Sequence, residues 1–145
     1  MKVLQIHHLY KPYGGGERYL LDLCGILEET GHDIVVLSSH DPENYHSENR
    51  KEYFIDRSFG LRTGFKMKGL IEDIISRENP DLIHLHETFL FLSPLIVQWL
   101  INHKPTVQTI HTSFFFVREV PKYYLTAIFV ITAWGECAQL RVACA

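Results

Sequence analysis

The first forty residues change hydrophobic period twice, and that alternation restricts the chain to few folds. Lys2 to His7 (KVLQIH) is a short aliphatic run that leads into a cluster of Pro12 and Gly14-Gly15-Gly16, the pattern of a buried strand feeding a glycine loop. From Glu17 the period becomes helical, with Leu20, Leu23, Cys24 and Leu27 at i, i+3, i+4 and i+7. Gly31 stands where a left-handed residue would stop that helix. Asp33 to Ser38 (DIVVLS) is then continuously apolar, as parallel strands covered on both faces are. A βαβ unit is complete by residue 39.

The same alternation continues. His40 to Lys51 is a polar loop, and Glu52 to Asp56 holds a short third strand around Tyr53-Phe54-Ile55. Phe65 to Arg77 presents Leu70, Ile71, Ile74 and Ile75 on one side, an amphipathic helix that stops before Pro80-Asp81. Leu82 to His86 (LIHLH) reads as strand four. Ser93-Pro94 supplies an N-cap and an N1 proline to a helix reaching about His103, and Thr106 to Ile110 makes strand five. Strands alternating with helices from residue 2 to residue 110 predict an α/β fold, a Rossmann-like doubly wound parallel sheet.

Beyond Val120 the pattern breaks. Tyr123 to Trp134 (YYLTAIFVITAW) has no helical stripe, and the last eleven residues match no element. The run is well short of the roughly 20 residues that cross a bilayer. At 145 residues, 46% hydrophobic and 21% charged, the chain suits one globular core. A net charge of -3 offers no electrostatic case for a nucleic-acid partner. Three cysteines, Cys24, Cys137 and Cys144, make no disulfide framework, so a reducing compartment is expected, with Cys24 a small buried hydrophobe. The N-terminus lacks a secretory apolar region, which predicts a cytoplasmic start.

In an open parallel sheet, ligands sit outside the carboxyl ends of the strands. Three strand exits are polar here. After strand one, Gly14, Gly15 and Gly16 precede the helix, so backbone N–H groups at a helix N-terminus can face an anion with no Cβ in the way; the alternative is a turn that needs glycine for its φ angles. Glu17 suits the positive helix end but would repel a phosphate unless it points away. A dinucleotide fingerprint would need glycine at Tyr19, and a Walker loop would need Gly-Lys-Ser/Thr, so neither motif is present.

Strand four ends in His84-Leu85-His86-Glu87, with both histidines on one side by period-two alternation. Strand five exits at His111-Thr112-Ser113, where an imidazole and a hydroxyl can bond a sugar or phosphate oxygen. His7, His8, His32 and His40 read as structural or solvent-facing. Lys11 and Arg18 either lend charge to the glycine loop or solubilise it. Phe89-Leu90-Phe91-Leu92 and Phe114-Phe115-Phe116 read first as packing and second as an apolar surface facing a domain, a lipid-linked acceptor or a membrane. Arg62 to Lys68 is a basic helix start or an anionic-membrane contact.

These residues together resemble the N-terminal domain of glycosyltransferase family 4 across residues 1–120. Gly14-Gly15-Gly16-Glu17-Arg18 with Gly31-His32-Asp33-Ile34-Val35-Val36 is similar to the family pattern GGxER through GHxVxV. Pro80 to His86 (PDLIHLH) resembles its PDxIHxH strand, and Pro105 to Thr112 (PTVQTIHT) its P-x-V-x-T-x-H strand. The resemblance implies a GT-B fold of two Rossmann-like domains and metal-independent transfer of a sugar, with retention, from a nucleotide-sugar donor to a sugar or lipid-linked acceptor. It implies no cofactor beyond the donor substrate.

On that basis Gly14, Gly15 and Gly16 line the cleft near the donor diphosphate, and His86 and His111 are the catalytic candidates touching the transferred sugar or its phosphate. Glu87 and Thr112 join the glycines as substrate-binding residues. The family's C-terminal domain, with its glutamate pair, has no counterpart in these residues, so a truncated domain inactive alone is expected. Its location would be cytoplasmic, with room for peripheral contact at the inner membrane face.

Residues 121–145 then form an atypical tail. Read one frame over, its codons permit Gly, Asn, Ile and Cys between Thr126 and Val130 and Gly-Cys-Leu between Arg141 and Cys144, similar to a cysteine segment in many members. That suggests a frameshift near Tyr123 or Tyr124. Two rivals stand beside the transferase: a metal-dependent hydrolase using His84, His86 and His111, and a non-catalytic truncated domain.

Overall fold

The chain's architecture is taken from a computed structural model, which describes residues 1–56, 61–87, 91–110, 127–131 and 141–144. The elements in chain order are β1 (Lys2–Ile6), α1 (Gly15–Glu29), β2 (Asp33–Ser39), β3 (Lys51–Ile55), α2 (Leu61–Glu78), β4 (Leu82–His86), α3 (Pro94–His103), β5 (Thr106–Ile110), β6 (Ala127–Ile131) and β7 (Arg141–Cys144). They build one sheet in the order β3-β2-β1-β4-β5-β6-β7.

Strands β1 to β5 are all parallel, as the βαβ alternation predicts. The tail adds what periodicity left unassigned: β6 runs antiparallel to β5, and β7 antiparallel to β6. The segment Ala127 to Ile131 (AIFVI) is β-branched and aromatic without a helical stripe, which is the composition of a strand. Its place between β5 and β7 depends on pairing with β5, and no pattern within the tail itself specifies that.

Alternation along the strands divides the core into two layers. Leu4, Ile6, Val35, Leu37, Ile83 and Leu85 pack against Met67, Ile71, Ile74 and Ile75 of α2 and against Ile96 and Leu100 of α3. Val3, Ile34 and Val36 face the other way, onto Leu20 and Cys24 of α1 and onto Tyr10. Phe91 and Leu92 belong to the first layer, so that half of their aromatic run is core; Phe89, Leu90 and Phe114 to Phe116 lie outside the described residues. Cys24 is buried, and burial pushes its thiol up to about 12.

Helix boundaries follow local chemistry. Helix α1 starts at Gly15, two residues before the expected start at Glu17, with Gly14 as an extended N-cap whose carbonyl accepts from Arg18 at 3.1 Å. Backbone bonding needs no apolar side chain, so periodicity marks the helix late. The helix ends at Gly31, whose φ of 83° is costly for any residue with a Cβ, and His32 N–H closes the end on the Leu27 carbonyl at 3.0 Å. Helix α2 likewise begins four residues ahead of Phe65. Ser93 caps α3, its Oγ accepting from Ile96 N–H, with Pro94 as the first helical residue.

Candidate functional site

The strand order turns back at β1, since β2 and β3 lie on one side of it and β4 and β5 on the other. A crevice at the carboxyl ends of β1 and β4 is therefore the switch point where open α/β sheets take ligands. The side chains there break the apolar rule of a doubly covered sheet. On the face that packs under α1, the alternation that carries Val3 and Leu82 next presents Gln5 and His84, paired in register, and then His86, paired with Thr109.

This polar ladder is bonded within itself. His86 Nε2 lies 2.7 Å from Gln5 Oε1, and His84 Nε2 lies 2.8 Å from Thr109 Oγ1. The rings of His84 and His86 stack at 3.9 Å, confirming the shared face that period two predicts. His86 also has Tyr19 of α1 at a tilt and His7 edge-on, each at 6.0 Å. Gln5, His86 and Thr109 are fully buried, and Gln5 Nε2 has no hydrogen-bond partner among the described residues. A buried orphan donor costs on the order of 1–3 kcal/mol, a cost that folds tolerate mainly at functional sites.

Above the ladder the chain leaves β1 through His7 and His8, both buried, with rings 4.5 Å apart. These two were expected to be structural or solvent-facing; the structure sets them at the ligand edge, because strand geometry ends at Ile6 and the loop turns both rings to one side. The loop after β2 holds them down. Ser39 Oγ donates to the His8 carbonyl, and Asn44 Nδ2 donates to the Ser39 carbonyl at 2.9 Å. Lys11 is engaged by Asp41 and Glu43, both at 3.1 Å, so its charge is directed to that loop and not to the glycines.

The glycine turn does not rest on left-handed backbone. Among the described residues only Gly31 has a glycine positive φ, so Gly14 to Gly16 are not there for a left-handed turn. A Cβ on Gly14 would come 2.6 Å from Glu17 Oε2, which shows the buried Glu17 carboxylate folded back over the helix N-terminus. A Cβ on Gly15 would meet nothing within 4 Å, so packing does not require glycine there. Glu17 thus places an acidic side chain in the first turn, at the positive end of α1.

Of the residues singled out in the sequence, His84 and His86 stack near the end of β4 and Glu87 follows them, while Gly14, Gly15 and Gly16 open α1 after β1. His111 and Thr112 follow β5 directly but lie outside the described residues. His86 is enclosed, bonded to Gln5 and not open to solvent. For the hydrolase reading, His84 and His86 turn their Nε2 atoms to different partners, and His111 lies outside the described residues. Gln5, His7, His8 and Tyr19 are the additions; Gln5 carried the one legible signal, an amide inside an otherwise aliphatic strand.

A cavity of about 390 Å³ lies at the opposite, amino-terminal edge, lined by Lys2, Asp33, Lys51 and Glu78 among others. Its polar groups are consumed by each other. Glu78 accepts from Tyr53 Oη at 2.7 Å, from Lys51 Nζ at 3.0 Å and from Lys2 Nζ at 3.4 Å, and these bonds hold its carboxyl down at about 2. The arrangement ties β1, β3 and α2 together and offers no reactive group. The basic stretch of α2 is likewise occupied at Lys68, which pairs with Glu72 and lies 4.8 Å over the Trp99 ring. Among the described residues no helix is long and apolar enough to cross a membrane.

Comparison with known proteins agrees with this geometry. In fold, the chain is similar to sucrose-phosphate synthase from Thermosynechococcus elongatus, with a TM-score of 0.55 and 16% identity over 77% of this chain and 33% of that chain. It is also similar to the phosphoribosylglycinamide formyltransferase of Coxiella burnetii, with a TM-score of 0.58 and 15% identity over 92% of this chain and 66% of that one. At such identities the likeness is one of fold, and the chain spans about a third of the synthase's length. No curated protein matches the chain significantly. The family model described as Glycosyltransferase Family 4 matches residues 13–141, most of the chain. With its α/β Rossmann-like fold and its glycine turn set against a polar switch point, the chain belongs to glycosyltransferase family 4.

Proposed function

We propose that this chain forms the acceptor-side wall of a retaining glycosyltransferase, which moves a sugar from a nucleotide-sugar to a sugar or lipid-linked acceptor. The observation that carries the reading is the juxtaposition at the switch point of an N-terminal helix end built from glycine with the Gln5–His86 and His84–Thr109 ladder. Backbone N–H groups of Gly15 and Gly16 suit a diphosphate that gathers charge as the glycosidic bond to it breaks. His86, held by Gln5, positions the floor of the cleft, and His111 and Thr112, following β5, supply the groups that reach the sugar. Catalysis in such a cleft rests on alignment and on stabilising the leaving phosphate.

The test is a calorimetric titration of the full chain with UDP, GDP and a UDP-sugar. Wild-type protein is expected to bind a nucleoside diphosphate. Gly15→Asp, which adds a negative charge where no atom crowds it, is expected to weaken that binding at least tenfold with the circular dichroism unchanged. Absence of binding by every nucleotide, or equal binding by Gly15→Asp, would overturn the reading.

A further inference from the structure

The exits of β1 and β4 bring donor atoms of Glu87 together with those of two histidines to which the proposed transfer gives no role. His7, His8 and Glu87 each present one ligand-type atom, and the three atoms lie within 4.8 Å of one another. Both histidines are buried and Glu87 is half-buried, so the cluster is built into the fold and does not lie on the surface.

Three further observations bear on it. Glu87 has a φ of 38°, a left-handed backbone that a residue with a Cβ adopts at a cost, directly where β4 ends. Its Oε1 is buried and has no hydrogen-bond partner among the described residues, an uncompensated carboxylate oxygen beside two imidazoles. His7 Nδ1 lies 2.7 Å from the Leu9 carbonyl oxygen and 3.1 Å from the Leu9 amide nitrogen. In the tautomer that donates Nδ1–H to the carbonyl, the lone pair is on Nε2, and this carbonyl–imidazole arrangement is the usual outer support of a metal-bound histidine.

We propose that His7, His8 and Glu87 bind one divalent transition-metal ion of the zinc class. Two imidazoles and one carboxylate favour zinc, cobalt, nickel or ferrous iron over magnesium and calcium, which prefer all-oxygen cages. Donors around a tetrahedral zinc stand roughly 3.3 Å apart, given metal–ligand bonds of about 2.0–2.1 Å, so side-chain rotations of about an ångström close the set. Three protein ligands leave a coordination position for water or an anionic oxygen at the ligand edge. The site is separate from the three-histidine alternative, for it uses neither His84 nor His111, and the transfer proposed above does not require it.

The experiment titrates the full chain with zinc by calorimetry and with cobalt(II) by visible absorption. One equivalent is expected to bind, with cobalt d–d bands of a low-coordinate site. Glu87→Gln, which keeps the side chain's shape, and His8→Ala are each expected to weaken zinc binding at least tenfold. His40→Ala, on an exposed loop residue, is expected to bind as wild type. Far-UV circular dichroism checks that each variant is folded. The proposal is overturned if no stoichiometric binding occurs, if folded Glu87→Gln and His8→Ala both bind as wild type, or if His84→Ala abolishes binding while those two retain it.

Discussion

At the scale of single residues, two side chains carry testable consequences of the proposed cleft. Glu17 is folded over Gly14 at the helix N-terminus, where it occupies the place that suits an anion. Glu17→Gln removes the charge and keeps the shape, so nucleoside diphosphate affinity is expected to rise by about three- to tenfold, the worth of one charge near a helix end, as calorimetry would read. Equal affinity in wild type and variant would show that the carboxylate does not guard the site. Gln5 is the other. Gln5→Leu leaves the buried His86 Nε2 without its 2.7 Å partner and is expected to cost about 1–3 kcal/mol in urea denaturation. The sequence made Gln5 visible as a polar residue in an aliphatic strand, but its partner is 81 residues away and was not legible from either neighbourhood.

At the scale of elements, α1 provides a contrast between two glycines. Gly25 lies inside the helix, where an added Cβ meets nothing within 4 Å, whereas Gly31 holds the left-handed end at φ 83°. Gly25→Ala is expected to stabilise the chain by about 0.5–1 kcal/mol and Gly31→Ala to destabilise it by about 1 kcal/mol, measured as opposite shifts of the urea midpoint. Element identity was the most legible level: the five parallel strands and three helices stand where period and capping residues put them. The errors cluster at helix starts. Helices α1 and α2 begin two and four residues before the expected starts at Glu17 and Phe65, because the first turn is set by backbone bonding and not by burial.

At the scale of the whole molecule, the amino-terminal sheet edge is held by Glu78, which joins β1, β3 and α2 through Lys2, Lys51 and Tyr53. Its folded-state value of about 2 is below the ordinary 4.5, so the carboxylate's contribution is fully present above pH 4.5 and is lost as pH falls toward 2. Wild type and Glu78→Gln are therefore expected to differ most in urea midpoint above pH 5 and to converge near pH 2. A constant gap across that window would separate Glu78 from acid stability. A cavity opens at this edge, whereas the polar ladder and the topological switch point lie at the other end of the strands.

The sequence alone determined the order and type of elements through β5, because hydrophobic period, capping residues and glycine placement act between near neighbours. It also carried the family, through motifs spread along the chain. The tertiary structure decided which polar groups meet: Gln5 with His86, His84 with Thr109, and His7 and His8 with Glu87. It also decided that the apolar tail extends the sheet antiparallel through β6 and β7. Those adjacencies follow from strand order and register, which join residues far apart in the chain and leave no trace in the local pattern of either partner.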